Sequence, residues 1–156
     1  MGIVQKSGQG SIIKKVAEFQ SNLEKATIFM LSYLGEELAK YAKDRHNYTD
    51  QTGNLTNSIG YAVVRNGKIV NYGGEIQPGD GAAEGLKVAT EMANKSSSTF
   101  SLLIVAGMNY AAYVEAKGYN VILPAELKAK LDFPKAMERL TAMAKSQAQK
   151  QFNVTL

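Results

Sequence analysis

The sequence predicts an α+β domain: a mainly antiparallel sheet of about four strands, packed against a long N-terminal helix and C-terminal helices. Three observations lead there. Apolar residues from Ile12 through Val16, Phe19, Leu23, Ala26, Met30, Leu34 and Leu38 to Tyr41 recur in steps of three and four, which keeps one helical face apolar. Asn66-Gly67 separates two β-prone runs and is the dipeptide that a two-residue type I′ hairpin prefers, because both central residues need positive φ. Finally, Met137, Leu140, Met143 and Ala144 give the last stretch an apolar helical face behind Pro124 and Pro134, each suited to the first turn of its own helix.

The elements follow in order. A helix from Ser11 to about Arg45 would extend roughly 50 Å, more than a small sheet needs, so either Gly35 breaks it or one end projects. His46 falls near its end, where an imidazole interacts favourably with the helix dipole. Turn formers fill Asn47 to Asn54, and Ile59, Tyr61 and Val63 then alternate with Gly60, Ala62 and Val64 as in a half-buried strand. Lys68-Ile69-Val70 completes the hairpin. Gly73 to Gly85 is glycine-rich and reads as a loop, after which Leu86, Ala89, Met92 and Ala93 mark one face of a short helix. Phe100 to Ala106 is nearly all apolar, as in a central strand covered on both faces. Tyr110 to Ala116 is either a helical turn or irregular, Tyr119 to Leu123 reads as a further short strand, and two helices follow.

Composition bounds the chemistry. The 156 residues, 45% hydrophobic, suffice for one core, and residues 1–156 read as a single domain with flexible tails at 1–10 and 149–156. With no cysteine and one histidine, thiolate nucleophiles, disulfides and multi-histidine zinc sites are excluded, and a Ser-His-Asp triad would have to run through His46. No run has the length of a signal peptide or a membrane span, so a soluble intracellular product without membrane association is expected. The net charge of +4 is modest. Gly79 to Gly85 superficially resembles a dinucleotide-binding turn, but Glu84 stands where a glycine belongs and would oppose a phosphate. Glu36 and Glu37 diverge by about 100° on their helix. Glu115, among Tyr110, Tyr113 and Val114, has the surroundings of a partly buried carboxylate. No cofactor, metal or catalytic set is predicted.

Two segments carry a resemblance. Thr52-Gly53-Asn54-Leu55-Thr56-Asn57-Ser58-Ile59, followed downstream by Val105-Ala106-Gly107 with Tyr110-Ala111-Ala112-Tyr113-Val114-Glu115, resembles the tail-completion, or head-to-tail joining, family of long-tailed bacteriophages. The order of elements is similar over most of the chain. Two features depart from the family pattern: Gly118 lies three residues after Glu115, and the Arg-Pro-Phe segment before the last helix is replaced by Gly118-Tyr119-Asn120-Val121-Ile122. In Thr52 to Ile59, Gly53 permits a sharp turn, Leu55 and Ile59 suit a core, and Ser58 can bond nearby backbone as the strand begins.

The resemblance implies a non-enzymatic virion protein of the neck or tail, assembled in the bacterial host cytoplasm. Its copies would form a homo-oligomeric ring at the head-to-tail junction, beside head-completion, connector or tail-tube proteins and around DNA passing through the lumen. Thr52, Gly53, Leu55, Ser58, Ile59, Tyr110, Tyr113 and Glu115 would be its structural and assembly residues. Met1 to Gly10, Gly73 to Gly85 and Gln149 to Leu156 are the segments expected to order on assembly. The rival reading is a small nucleic-acid-binding protein that uses the C-terminal Lys128, Lys130, Lys135, Arg139, Lys145 and Lys150.

Overall fold

A computed structural model describes residues 6–74 and 77–156. Helix α1 runs from Lys6 to Asp44, α2 is the single turn Asn54–Asn57, and strands β1 (Ile59–Arg65) and β2 (Lys68–Gly73) form a hairpin. Helix α3 (Asp80–Lys95), strand β3 (Phe100–Ala106), the short α4 (Ala111–Ala116) and α5 (Leu123–Phe152) complete the chain. The protein is α+β, with a three-stranded antiparallel sheet ordered β2-β1-β3.

The hairpin forms where Asn66-Gly67 predicts it: both residues have positive φ, 49° and 79°, and Arg65 faces Lys68 across the turn. The sheet otherwise departs from the sequence reading in two ways. There are three strands rather than four, because Tyr119 to Leu123 forms no ladder; its backbone N–H groups bond elsewhere, and Leu123 already belongs to α5. The middle strand is β1, not Phe100 to Ala106. Its first six residues are buried on both faces, since α1 covers Tyr61 and Val63 and α3 covers Ala62 and Val64 where a half-buried strand would meet water.

Three layers result. On one face, Leu31 and Ala39 of α1 pack on Tyr61 and Val63. On the other, Ala89 and Ala93 of α3 pack on Ala62, Val64 and Val105. The buried stripe of α3 is Gly81, Gly85, Ala89 and Ala93, whereas Leu86 and Met92, expected on its core face, are nearly half exposed. Small residues win that face because the backbones nearly touch: a Cβ on Gly85 would stand 2.7 Å from the Ser58 carbonyl oxygen, and one on Gly81 2.2 Å from that of Asn54. These glycines thus belong to helix packing rather than to an open loop.

Gly35 does not break α1, which continues through 39 residues, roughly 58 Å. The glycine sits under the Tyr61 ring, where a Cβ would lie 2.4 Å from a ring carbon. Helix α5 is likewise one helix of 30 residues with Pro134 in its interior, not two helices each opened by a proline. It runs antiparallel to α1: Tyr41 lies beside Leu123 and Lys128, Leu34 beside Ala136, and Phe19 meets Phe152 edge-on at 5.7 Å. The N-terminal part of α1 and the C-terminal part of α5 therefore run past the sheet as a two-helix prong. Gln149 to Phe152, read as tail, are helical, as are Lys6 to Gly10; Met1 to Gln5, Glu75 and Ile76, parts of the segments expected to order on assembly, lie outside the described residues.

Candidate functional site

The segment Thr52 to Ile59 folds as a tight corner. Gly53 takes φ +73°, a left-handed conformation that glycine adopts without steric cost. Its carbonyl accepts the Asn57 N–H at 2.9 Å, closing the helical turn α2. Two side chains anchor the corner: Asp50 Oδ2 accepts the Thr56 N–H at 2.7 Å, and Thr52 Oγ1 accepts that of Asn54 at 3.3 Å. Leu55 and Ile59 are buried in the principal core.

Ser58 is fully buried and joins the two sequence motifs. Its hydroxyl donates to the Leu55 carbonyl at 2.7 Å and accepts the Met108 N–H at 3.3 Å. Its own carbonyl accepts the Gly107 N–H at 3.2 Å. A buried hydroxyl with a donor and an acceptor partner is satisfied, so Ser58 holds the entry to β1 against the exit from β3. Gly107 must be glycine for packing reasons: a Cβ there would lie 2.2 Å from the Gly85 nitrogen of α3. Corner, β3 exit and α3 thus meet at one node.

Beyond the node, Tyr110 occupies the N-cap position of α4 and Tyr113 stands 65% exposed, with the Lys117 ammonium 5.2 Å from its ring centre. Tyr110 lines a shallow cleft with Tyr48, Asp50, Thr52, Leu55 and Val114. Burial is the main reason the Tyr48 phenol is pushed above its usual range, partly offset by its hydrogen bond with Thr56. Glu115 is a structural acceptor. One carboxylate oxygen, Oε1, takes the N–H groups of Val121, Ile122 and Leu123 at 3.4, 3.2 and 2.6 Å. These are orphan donors at the start of α5, whose N-cap residue, Ile122, has no capping side chain. A carboxylate there satisfies donors and complements the helix dipole. His46 plays the converse part at the end of α1, where its Nδ1 meets the Lys43 carbonyl.

Among the described residues, no three His, Cys, Asp or Glu side chains are grouped to hold a metal ion, and no helix is long and apolar enough to cross a membrane. What the sequence did not reveal is an apolar surface. Leu123, Leu127 and Leu131 of α5, spaced one turn apart, are 44, 54 and 68% exposed, and with Tyr41, Asn120 and Pro124 they line an open groove. Tyr113 and Tyr119 add exposed rings nearby in the chain. The spacing alone reads as a core face; only the packing shows which side α1 covers.

No protein-family model, curated protein or solved structure matches this chain.

Proposed function

We propose that the protein is a virion structural subunit, a tail-completion or neck protein whose copies form a ring at the head-to-tail junction of a long-tailed phage. The observation that carries the assembly part of this reading is the exposed Leu123-Leu127-Leu131 stripe on a well-packed domain. A row of large apolar side chains in water is disfavoured, and contiguous exposed apolar surface marks interaction sites. The phage assignment is supported by the two resembling motifs, whose residues serve one mechanical purpose: Gly53, Leu55, Ser58 and Ile59 build the corner that Gly107 and Met108 close, and Glu115 orients α5. None of these roles is chemical.

A ring needs two different patches per subunit, one for each neighbour. The α5 stripe supplies one. The exposed Leu86 and Met92 of α3, on the opposite face of the sheet, are the candidate for the other. The direct test is mass spectrometry of purified particles from cells producing this protein. A fixed stoichiometry in mature virions is expected; complete absence from them would overturn the assignment.

A further inference from the structure

The prong formed by α1 and α5 carries an unusual distribution of charge. Residues 6–33 and 135–156 hold eight lysines and arginines against three glutamates, an excess larger than the +4 of the whole chain. One of those glutamates, Glu24, is engaged by Arg65 at 2.9 Å. By contrast, no ion pair among the described residues holds Lys15, Lys135, Arg139 or Lys150. Angular position places Lys135, Arg139 and Lys150 within about 60° of one another on α5, on the side away from the sheet.

Beside them stand two aromatic rings. Phe29 and Tyr33, one turn apart on α1, are 73 and 61% exposed. Tyr33 lines a groove of about 330 Å³ with Lys135 and Arg139. Two acidic residues border the same groove, Glu37 and Asp132. Asp132 is engaged by Lys128, leaving Glu37 as the one carboxylate there without an ion pair among the described residues. Sequence order hides this arrangement, because the rings lie about 100 residues before the cations, and the C-terminal basic stretch on its own holds few aromatics.

We infer that this outer face of the α1–α5 pair binds single-stranded nucleic acid, with phosphates on Lys135, Arg139 and Lys150 and unpaired bases stacked on Tyr33 and Phe29. Unpaired cations supply sequence-independent attraction to phosphates, and exposed rings beside them stack on any base. A duplex would use the cations alone, since its bases are already stacked. The leucine stripe proposed to join ring subunits runs into this face at Leu131, one turn before Lys135, but the variants that test the two roles share no residue, so either role can fail without the other.

Fluorescence anisotropy of a labelled 20-nucleotide oligothymidine, titrated with the full chain across a salt series, tests it. The logarithm of affinity is expected to fall linearly with the logarithm of salt, and Lys135→Ala with Arg139→Ala should make that slope shallower by about 1.4, roughly 0.7 for each phosphate no longer neutralised. Tyr33→Ala should weaken binding about tenfold while leaving the slope unchanged. A duplex of equal length should respond to the cation variants but not to Tyr33→Ala. Absence of binding at low salt, or binding that ignores Tyr33, would overturn the inference. So would a self-association in sedimentation velocity that Phe29→Ala with Tyr33→Ala abolishes, because a second copy would then occupy the face. All four side chains lie on the surface of the helices, so circular dichroism should show each variant folded.

Discussion

Replacing Glu115 by alanine should destabilise the protein through the start of α5. The carboxylate accepts three backbone N–H groups there, of which the bond to Leu123, at 2.6 Å, is the shortest. Losing a cap costs about 1 kcal/mol, and losing a negative charge at a helix N-terminus adds about 0.3–1 kcal/mol at a partly exposed site. Tyr119 to Ile122 also loses what holds it, so a total of about 2 kcal/mol is expected. In a chain of this size that corresponds to a fall in melting temperature of about 4–8 °C. Glu115→Gln retains an acceptor oxygen and loses only the charge, so it should cost about half as much. Urea denaturation of both variants, with thermal melts alongside, measures the difference. An alanine variant within about 0.5 kcal/mol of the native protein would refute the capping role, and a glutamine variant as damaging as alanine would show that the charge acts elsewhere.

Other outcomes follow from the node and from the buried phenols. Gly107→Ala places a methyl group against the α3 backbone and should cost about 3 kcal/mol or more, whereas Gly53→Ala, whose methyl would meet only Asn57 Nδ2 at an ordinary contact of 3.7 Å, should cost only the left-handed strain of about 1–2 kcal/mol; chemical denaturation separates the two. The Tyr72 hydroxyl is buried without a hydrogen-bond partner among the described residues, so Tyr72→Phe should be neutral or stabilising by about 1 kcal/mol, in contrast to Tyr61→Phe, which removes an acceptor from Asn71; urea midpoints compare them. Burial pushes the phenols of Tyr48, Tyr61 and Tyr72 above their usual value of 10.0. These phenols stay neutral in the folded state while the unfolded chain ionises, so their contribution is fully present below about pH 10 and is lost as pH rises further through the folded values. Urea midpoints should hold steady from pH 8 to about 9.5 and then fall, with tyrosinate absorbance rising together with unfolding.

The long amphipathic helix, the hairpin and the corner at Gly53 were legible because each rests on a local rule: helical periodicity, a dipeptide with positive φ, and a glycine where the chain turns left-handed. Ser58 was legible for the same reason, since its hydroxyl bonds to a carbonyl three residues back. What escaped depends on partners distant in sequence. Phe100 to Ala106 is apolar enough for a central strand, yet it lies at an edge, because strand order is a tertiary property. The stretch after Gly118 has β-prone residues, but Glu115 and Asn47 take its N–H groups and the strand never forms. Leu86 and Met92 define a face of α3 as well as any core pair, and lose it to a glycine-alanine stripe that lets the backbones approach. The exposed leucines of α5 went unseen for the same reason, since periodicity shows that a face exists and not which neighbour covers it.

On the proposed function, this chain works by assembling with itself through the α5 stripe. Native mass spectrometry together with sedimentation velocity, on the native protein and on Leu127→Ser with Leu131→Ser, puts that to the sharpest test. Both leucines are more than half exposed, so the variant should fold with an unchanged melting profile. The native chain should give one discrete closed species at a multiple of 16.9 kDa, and the variant should sediment as a monomer. A native protein that stays monomeric up to millimolar concentration, or a variant that keeps the full oligomer, would contradict self-assembly through this stripe.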